Sequence, residues 1–293
     1  MAHPHPEGSL GWADLIREAN ARITASLGGN RLQEARWMAE RVSGHDAAEL
    51  IVNGDERVGA RSVAFFDQLL ARRCAGEPLQ YVLGRWAFRT LELYVDRNVL
   101  IPRPETEMVA GLAIDIAAKM TDPVVVDLGT GSGAIALSIA VEVPHATVWA
   151  TDVSDDALKV ACANLAGLGR IAQRVTMTSG SWFDALPDTL LGSVSVLVSN
   201  PPYVAESEKL PAEVIDWEPR LALFGPSDDG GDYIRHLIER STDFLVPGGA
   251  LVIEMAPTQT DMAASFAIAQ GFIRVRIVED LAGKPRALVA HRA

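Results

Sequence analysis

Val124-Val125-Val126-Asp127-Leu128-Gly129-Thr130-Gly131-Ser132-Gly133 is the stretch that decides the fold. Its β-branched start reads as a buried strand. The alternating glycines permit a tight turn and bring backbone N–H groups close to a ligand at the start of the helical run Ala134 to Ala140. A second strand, Ala146-Thr147-Val148-Trp149-Ala150-Thr151, leads to Asp152, which stands about twenty residues past the glycines, where an acid reaches ribose hydroxyls. Strand, glycine loop, helix, strand and acid together make a nucleoside site. The spacing is Gly-x-Gly-x-Gly, and Ala136 stands where the dinucleotide fingerprint has a later glycine, which weighs against a dehydrogenase. S-adenosylmethionine carries a sulfonium and an ammonium and no phosphate, so Asp127 would face it favourably. Equally, Asp127 would cap the loop by accepting from its N–H groups.

The alternation continues on the carboxyl side. Ala157 to Leu168 reads as a helix and Arg174 to Thr178 as a third strand, followed by Gly180-Ser181-Trp182-Phe183-Asp184. Ligands of open α/β sheets lie at strand carboxyl ends, so Trp182 or Phe183 is placed to stack on an adenine. The run Val194-Ser195-Val196-Leu197-Val198 is another buried strand, stopped by Ser199-Asn200-Pro201-Pro202-Tyr203. This stretch suits a flat NH2 group. Asn200 offers a side-chain carbonyl, and the Pro201 carbonyl has no neighbouring N–H to compete for it. Tyr203 would close over the face of the group. A long polar loop, Ala205 to Asp232, reads as a lid or insertion. Then come a helix from Tyr233 to Phe244, a turn at Pro247-Gly248-Gly249, a strand from Ala250 to Glu254 and a helix near Met262 to Ala269. Strands Phe272 to Val278 and Ala287 to His291 finish a set of about seven, the last antiparallel for want of an intervening helix.

On the amino side, Leu15, Ala19, Ile23 and Leu27 share a helical face. So do Leu32, Ala35, Ala39 and Val42, and again Val63, Phe66, Leu70 and Cys74; these short amphipathic helices read as a small bundle. Trp86 to Val95 favours a short hairpin. Beyond Ile101-Pro102-Arg103-Pro104-Glu105-Thr106-Glu107, a helical run continues through Met108, Leu112 and Ile116, with Glu105 and Glu107 in its first turn, where the macrodipole favours carboxylates.

Composition bounds the partners. The 293 residues are 48% hydrophobic and 22% charged, ordinary for a globular chain, with a net charge of −12 that repels polyphosphate. Nucleic acid is therefore not expected as a partner. Cys74 and Cys162 stand apart and no metal-ligand cluster occurs, so no metal and a reducing compartment are expected. Met1-Ala2-His3-Pro4-His5-Pro6 lacks signal-peptide character and no apolar run reaches membrane-spanning length, so a cytoplasmic location with no membrane partner is expected.

Gly129-Thr130-Gly131-Ser132-Gly133, Asn200-Pro201-Pro202-Tyr203, Ile101 to Glu107 and Gly76-Glu77-Pro78-Leu79-Gln80-Tyr81 together resemble the HemK or PrmC family of protein-glutamine N5-methyltransferases, as does Asp280-Leu281-Ala282-Gly283. The resemblance runs from about residue 10 to the carboxyl end. It implies an α/β class I methyltransferase: a helical, release-factor-binding region within 1–84, a β-hairpin linker at 85–103, and a seven-stranded Rossmann-like domain at 104–293. The implied reaction moves a methyl group from S-adenosyl-L-methionine, leaving S-adenosyl-L-homocysteine, to the glutamine amide nitrogen of the Gly-Gly-Gln motif in class 1 peptide chain release factors, by a monomeric enzyme. Carried over residue by residue, the cofactor falls on Gly129, Thr130, Gly131, Ser132, Gly133, Asp152, Trp182 and Asn200. The substrate amide falls on Asn200, Pro201, Pro202 and Tyr203, with Asn200, Pro201 and Tyr203 catalytic. Two positions depart from the family pattern: Met255-Ala256 after Glu254, where a glycine is usual, and Ser181 before Trp182, where an acid is common.

Asn-Pro-Pro-Tyr is shared with DNA adenine methyltransferases, which must also flip a base and hold a phosphate backbone. The acidic charge opposes that reading. A non-catalytic nucleoside-binding scaffold would bind cofactor without transferring a methyl group.

Overall fold

The computed structural model describes residues 10–293. Met1 to Pro6, read above for signal-peptide character, lie outside the described residues. The chain divides into two compact units, one running to Arg85 and one from Trp86 to Ala293.

The first unit is helical: α1 (Trp12–Leu27), α2 (Leu32–Ser43), α3 (Ala47–Val52), α4 (Ala60–Cys74) and α5 (Leu79–Leu83). Its core joins Leu15, Ala19 and Ile23 of α1 to Ala35 and Met38 of α2 and Phe66 and Leu70 of α4. Leu27, Val42, Val63 and Cys74 pack against its margin, so the three sequence stripes meet in one core. The short α3 was not foreseen from periodicity. It starts by capping: Asp46 Oδ1 accepts from the N–H groups of Ala48 and Glu49, both at 2.8 Å, and Glu49 returns a bond to Asp46 N. Arg73 is 2% exposed and gives Nε to Glu34 Oε2 at 2.6 Å and Nη1 to the Glu77 carbonyl at 2.9 Å.

The second unit opens with a hairpin, β1 (Arg85–Phe88) and β2 (Leu91–Tyr94), followed by α6 (Pro104–Ala117). Next come β3 (Val124–Leu128), α7 (Ala134–Glu142), β4 (Thr147–Asp152), α8 (Asp155–Ala166), β5 (Val175–Ser179) and β6 (Val194–Ser199). The chain ends through α9 (Ala212–Ile215), α10 (Arg220–Leu223), α11 (Asp232–Phe244), β7 (Leu245–Glu254), α12 (Thr260–Ala269), β8 (Ile273–Glu279) and β9 (Pro285–His291). Seven strands form one sheet in the order β5-β4-β3-β6-β7-β9-β8. The first five are parallel, and β9 runs antiparallel to both β7 and β8. Strands β3 to β5 step one way and β6 to β7 the other, so the sheet reverses direction between β3 and β6. A crevice opens at such a reversal, outside the strand carboxyl ends.

The helix expected through Met108, Leu112 and Ile116 forms as α6, and two other sequence expectations are corrected. The face of α6 that packs inward is Thr106, Val109, Ala110, Ala113, Ile114 and Ala117, and Met108, Leu112 and Ile116 are half-buried beside it. A two-sided environment blurs the single stripe that periodicity seeks. Pro247-Gly248-Gly249 is no free turn: Val194 pairs with Leu245 and Val196 with Ala250, so the turn is a bulge inside β7. The segment read as a polar loop carries α9 and α10, each four residues long and each started by a proline.

The hairpin is stitched to the sheet domain by side chains. Arg89 forks onto Glu142 with two bonds of 2.7 Å, and Asn164 bonds both the N–H and the carbonyl of Tyr94. The same Asn164 amide reaches the Ser132 carbonyl at 2.8 Å, tying the hairpin to the glycine loop.

Candidate active site

At the reversal between β3 and β6 lies a cavity of about 230 Å3. Its wall includes Gly129, Thr130, Gly131, Ser132, Asp152, Trp182, Asn200 and Pro202 of the expected site residues. Gly133, Pro201 and Tyr203 stand outside that wall. Gly133 opens α7 behind the loop, and Tyr203 is packed against the sheet core.

The glycine loop turns its donors inward. Gly129 and Thr130 N–H both bond the Thr151 carbonyl at 2.9 Å, Gly131 N–H bonds Asp152 Oδ2 at 2.8 Å, and Gly133 N–H bonds the Thr130 carbonyl. A phosphate nest would keep those donors free. The expectation that the loop N–H groups face a ligand is therefore corrected for these four. Asp152 also accepts from Ser154 N–H at 2.9 Å, and burial raises its pKa. A carboxylate has about four lone-pair sites, so the backbone N–H groups leave Asp152 room to accept from a ligand hydroxyl.

The structure decides the role of Asp127. It is fully buried, absent from the cavity wall, and accepts from Thr130 Oγ1 at 2.6 Å and Ala136 N at 3.1 Å through Oδ2. Burial pushes its pKa up to about 7, and among the described residues Oδ1 has no partner. It caps the loop.

The two aromatic residues are placed differently. Trp182 lines the cavity at φ 48°, a left-handed conformation unusual for a bulky residue, and its ring lies 3.4 Å from where a Cβ on Gly129 would sit. The positive φ of 76° at Gly129, rather than crowding by that ring, favours glycine there. Phe183 instead stacks on Phe244 in the core, with ring centroids 5.0 Å apart.

Asn200 sits at the carboxyl end of β6, next to β3. Its Nδ2 donates to Thr106 Oγ1 at 3.2 Å, leaving Oδ1 to a ligand. Ser199 Oγ donates to the Leu128 carbonyl at 2.6 Å and fixes the ends of β6 and β3 together. Behind the prolines, Gln259 Nε2 clamps the Tyr203 carbonyl at 2.9 Å and the Asp229 carbonyl at 2.7 Å. Gly230, at φ 65°, is so close that a Cβ there would lie 2.1 Å from the Tyr203 carbonyl oxygen. The far wall is held by Glu218, which accepts from Ile101 N–H at 3.0 Å and pairs with Arg103. Pro219 and Leu221, next to Glu218 in the chain, line the same cavity as Val99 and Pro102.

The cavity wall contains no lysine or arginine, and its one carboxylate is Asp152. A ligand with hydroxyls, positive charge and no phosphate fits such a wall, and a dinucleotide does not. Among the described residues there is no cluster of three groups able to hold a metal ion.

Comparison with known proteins agrees with this geometry. Residues 14–84 match the PrmC N-terminal domain and residues 111–216 the methyltransferase small domain. A release factor glutamine methyltransferase of Streptomyces coelicolor is 41% identical over 283 residues, covering 95% of this chain and 97% of the relative. The chain belongs to the release factor glutamine methyltransferase family. A second member, from Bifidobacterium longum, is 35% identical over 94% of this chain and 98% of its own length. A methyltransferase of Pyrococcus furiosus has the same fold, with a TM-score of 0.52 at 18% identity, over 71% of this chain and 91% of that one. As a methyltransferase of this family, the chain uses S-adenosylmethionine as its methyl donor, the ligand its lysine-free, loop-satisfied cavity suits.

Sequence reading missed the supports. Thr106, Glu218, Gln259 and Asn164 act on the site across 94, 117, 56 and 32 residues of chain, respectively. Only Thr106 lay in a stretch already marked by the family resemblance.

Proposed function

We propose that this chain methylates the glutamine side-chain amide nitrogen of the Gly-Gly-Gln motif in class 1 peptide chain release factors, and so modulates translation termination in the cytoplasm. The observation that carries this reading is Asn200 in the cavity wall, its NH2 engaged by Thr106 and its carbonyl left to accept. The acceptor faces the same cavity as the ribose-side acid Asp152. Residues 14–84 are the part we assign to release-factor binding.

S-adenosylmethionine, when bound, supplies an electrophilic methyl carbon. Asp152 would hold its ribose hydroxyls, Trp182 its adenine, and Gly129 to Ser132 the turn beneath it. An amide nitrogen is a poor nucleophile because its lone pair is shared with its carbonyl. Asn200 Oδ1 and the Pro201 carbonyl would take its two hydrogens, orient it, and stabilise the positive charge that grows on it. Pro202 bounds that subsite from the wall, and Tyr203 stiffens it from behind through Glu254 at 3.3 Å. The surplus proton leaves to water, so no strong base is required.

The test is transfer of labelled methyl from S-adenosylmethionine to a purified class 1 release factor, to the same factor with the motif glutamine replaced, and to duplex DNA. Label on the intact factor alone supports the reading, and label on DNA sinks it. Asn200→Ala is expected to lose about 100-fold or more in kcat with cofactor binding retained, the size of effect seen when one preorganised charge-stabilising group is removed.

A further inference from the structure

We propose that Tyr233 is a positioning residue for the cofactor: its ring holds the Trp182 indole in the orientation that receives the adenine. The inference rests on the reading of Trp182 as the adenine platform.

Trp182 needs a holder. It opens a four-residue 3-10 turn (Trp182–Ala185) at φ 48°, a conformation that a bulky residue keeps only where its surroundings over-determine it. The indole packs against Gly129 and the sheet core and still lines the cavity. Tyr233 lines the same cavity, and its ring meets the indole there, with centroids 4.9 Å apart and planes tilted by 54°. Aromatic pairs prefer such offset or tilted contacts to a face-to-face sandwich. A stacking surface binds best when its ring is already ordered before the ligand arrives.

Tyr233 is the better anchored of the two. It stands in the first turn of α11, a helix of 13 residues, and its neighbours in sequence are laced on both sides. Asp229 Oδ1 accepts from Gly231 N–H at 2.9 Å, and Arg235 spans Asp229 Oδ2 at 2.9 Å and Asp232 Oδ1 at 2.6 Å. Ser227 Oγ accepts from Asp232 N–H at 3.2 Å. Gln259, through the Asp229 carbonyl, ties this turn to the Tyr203 end of the substrate loop. Among the described residues the Tyr233 hydroxyl has no hydrogen-bond partner, so the ring alone carries the contact. Sequence reading marked Tyr233 only as the start of a helix.

Adenosine is the probe, because it presents the base without the sulfonium or the methyl group, and calorimetry follows its binding to the full chain. Tyr233→Leu should weaken adenosine binding about fivefold, and Tyr233→Phe should stay within about twofold of the natural chain. A double-mutant cycle reads whether the residue acts through the indole: in a Trp182→Leu background, Tyr233→Leu should cost less than about twofold more. In turnover, Tyr233→Leu should raise KM for S-adenosylmethionine by the same factor and leave kcat at saturation within about twofold. Unchanged adenosine binding in folded Tyr233→Leu, or a full further loss on top of Trp182→Leu, overturns the positioning role. Should Tyr233→Leu fail to fold, NMR on the unaltered chain decides. Ring-to-ring contacts between Tyr233 and Trp182 seen both without and with adenosine support the role, and their absence from either state overturns it. Trp182→Leu with undiminished adenosine affinity would instead overturn the reading of Trp182 itself, and the proposal with it.

Discussion

Glu34 in the helical unit and Glu254 at the end of β7 are both carboxylates taken largely out of water, and their surroundings treat them in opposite ways. Glu34 meets Arg73 and Arg31, each at 2.6 Å; burial raises its pKa, and the two guanidinium groups outweigh burial to leave it lowered. Glu254 meets the Tyr203 hydroxyl, the Arg286 guanidinium that acts on it is shared with Asp280, and burial raises its pKa to about 7. Asp127 repeats the second pattern. In the helical unit buried charge is matched by charge and serves the fold. In the sheet domain Glu218 is likewise paired, with Arg103, whereas Asp127 and Glu254 are left under-compensated, which is how a protein keeps a group able to change state near neutral pH.

The contrast is broken most forcefully by Arg73→Met. This leaves Glu34 with Arg31 alone and also removes the donor to the Glu77 carbonyl, and urea unfolding should show a loss of about 3 kcal/mol, the low end of the cost of breaking a buried pair from one side. Gly230→Ala comes next. Strain at its positive φ and collision with the Tyr203 carbonyl should cost about 2 kcal/mol in thermal unfolding and impair methyl transfer, because the loop holding Asn200 must shift.

Asp127 sharpens the comparison through pH. Its pKa is raised in the folded chain, so the native state holds more protons than the unfolded one between about pH 4 and 7, and its contribution to stability falls as pH rises through that window. The advantage of the natural chain over Asp127→Asn should therefore shrink by about 1–2 kcal/mol between pH 5 and pH 8, read as paired denaturation curves. Glu254→Gln is the smallest effect. At pH 8 it removes a charge that lacks a full partner, so stability should change by less than about 0.5 kcal/mol. A loss as large as that of Arg73→Met would erase the distinction drawn here.

Much of the fold was legible because it is written locally. The strand-glycine-helix-strand-acid unit, the apolar run into Asn200 and the helical stripes of the first unit each depend on residues within a dozen positions. What was not legible depends on partners far along the chain. Nothing near Asp127 tells whether it faces a ligand or caps a loop; Thr130 and Ala136 settle it only once the turn is built. Trp182 and Phe183 are neighbours in sequence, yet Trp182 lines the cavity and Phe183 packs in the core against Phe244.

The place of β9 between β7 and β8 has a consequence for how the molecule assembles. Strand β8 is made before β9, yet its hydrogen bonds to the sheet run only through β9. Pairing of β8 with β9 spans few residues and closes cheaply, whereas each parallel pairing must first close a long crossover. Residues 273–291 are therefore expected to form a hairpin early and to dock on β7 as one body. In pulse-labelling hydrogen exchange, the amides of β8 and β9 should gain protection together, ahead of the pairing of β7 with β6.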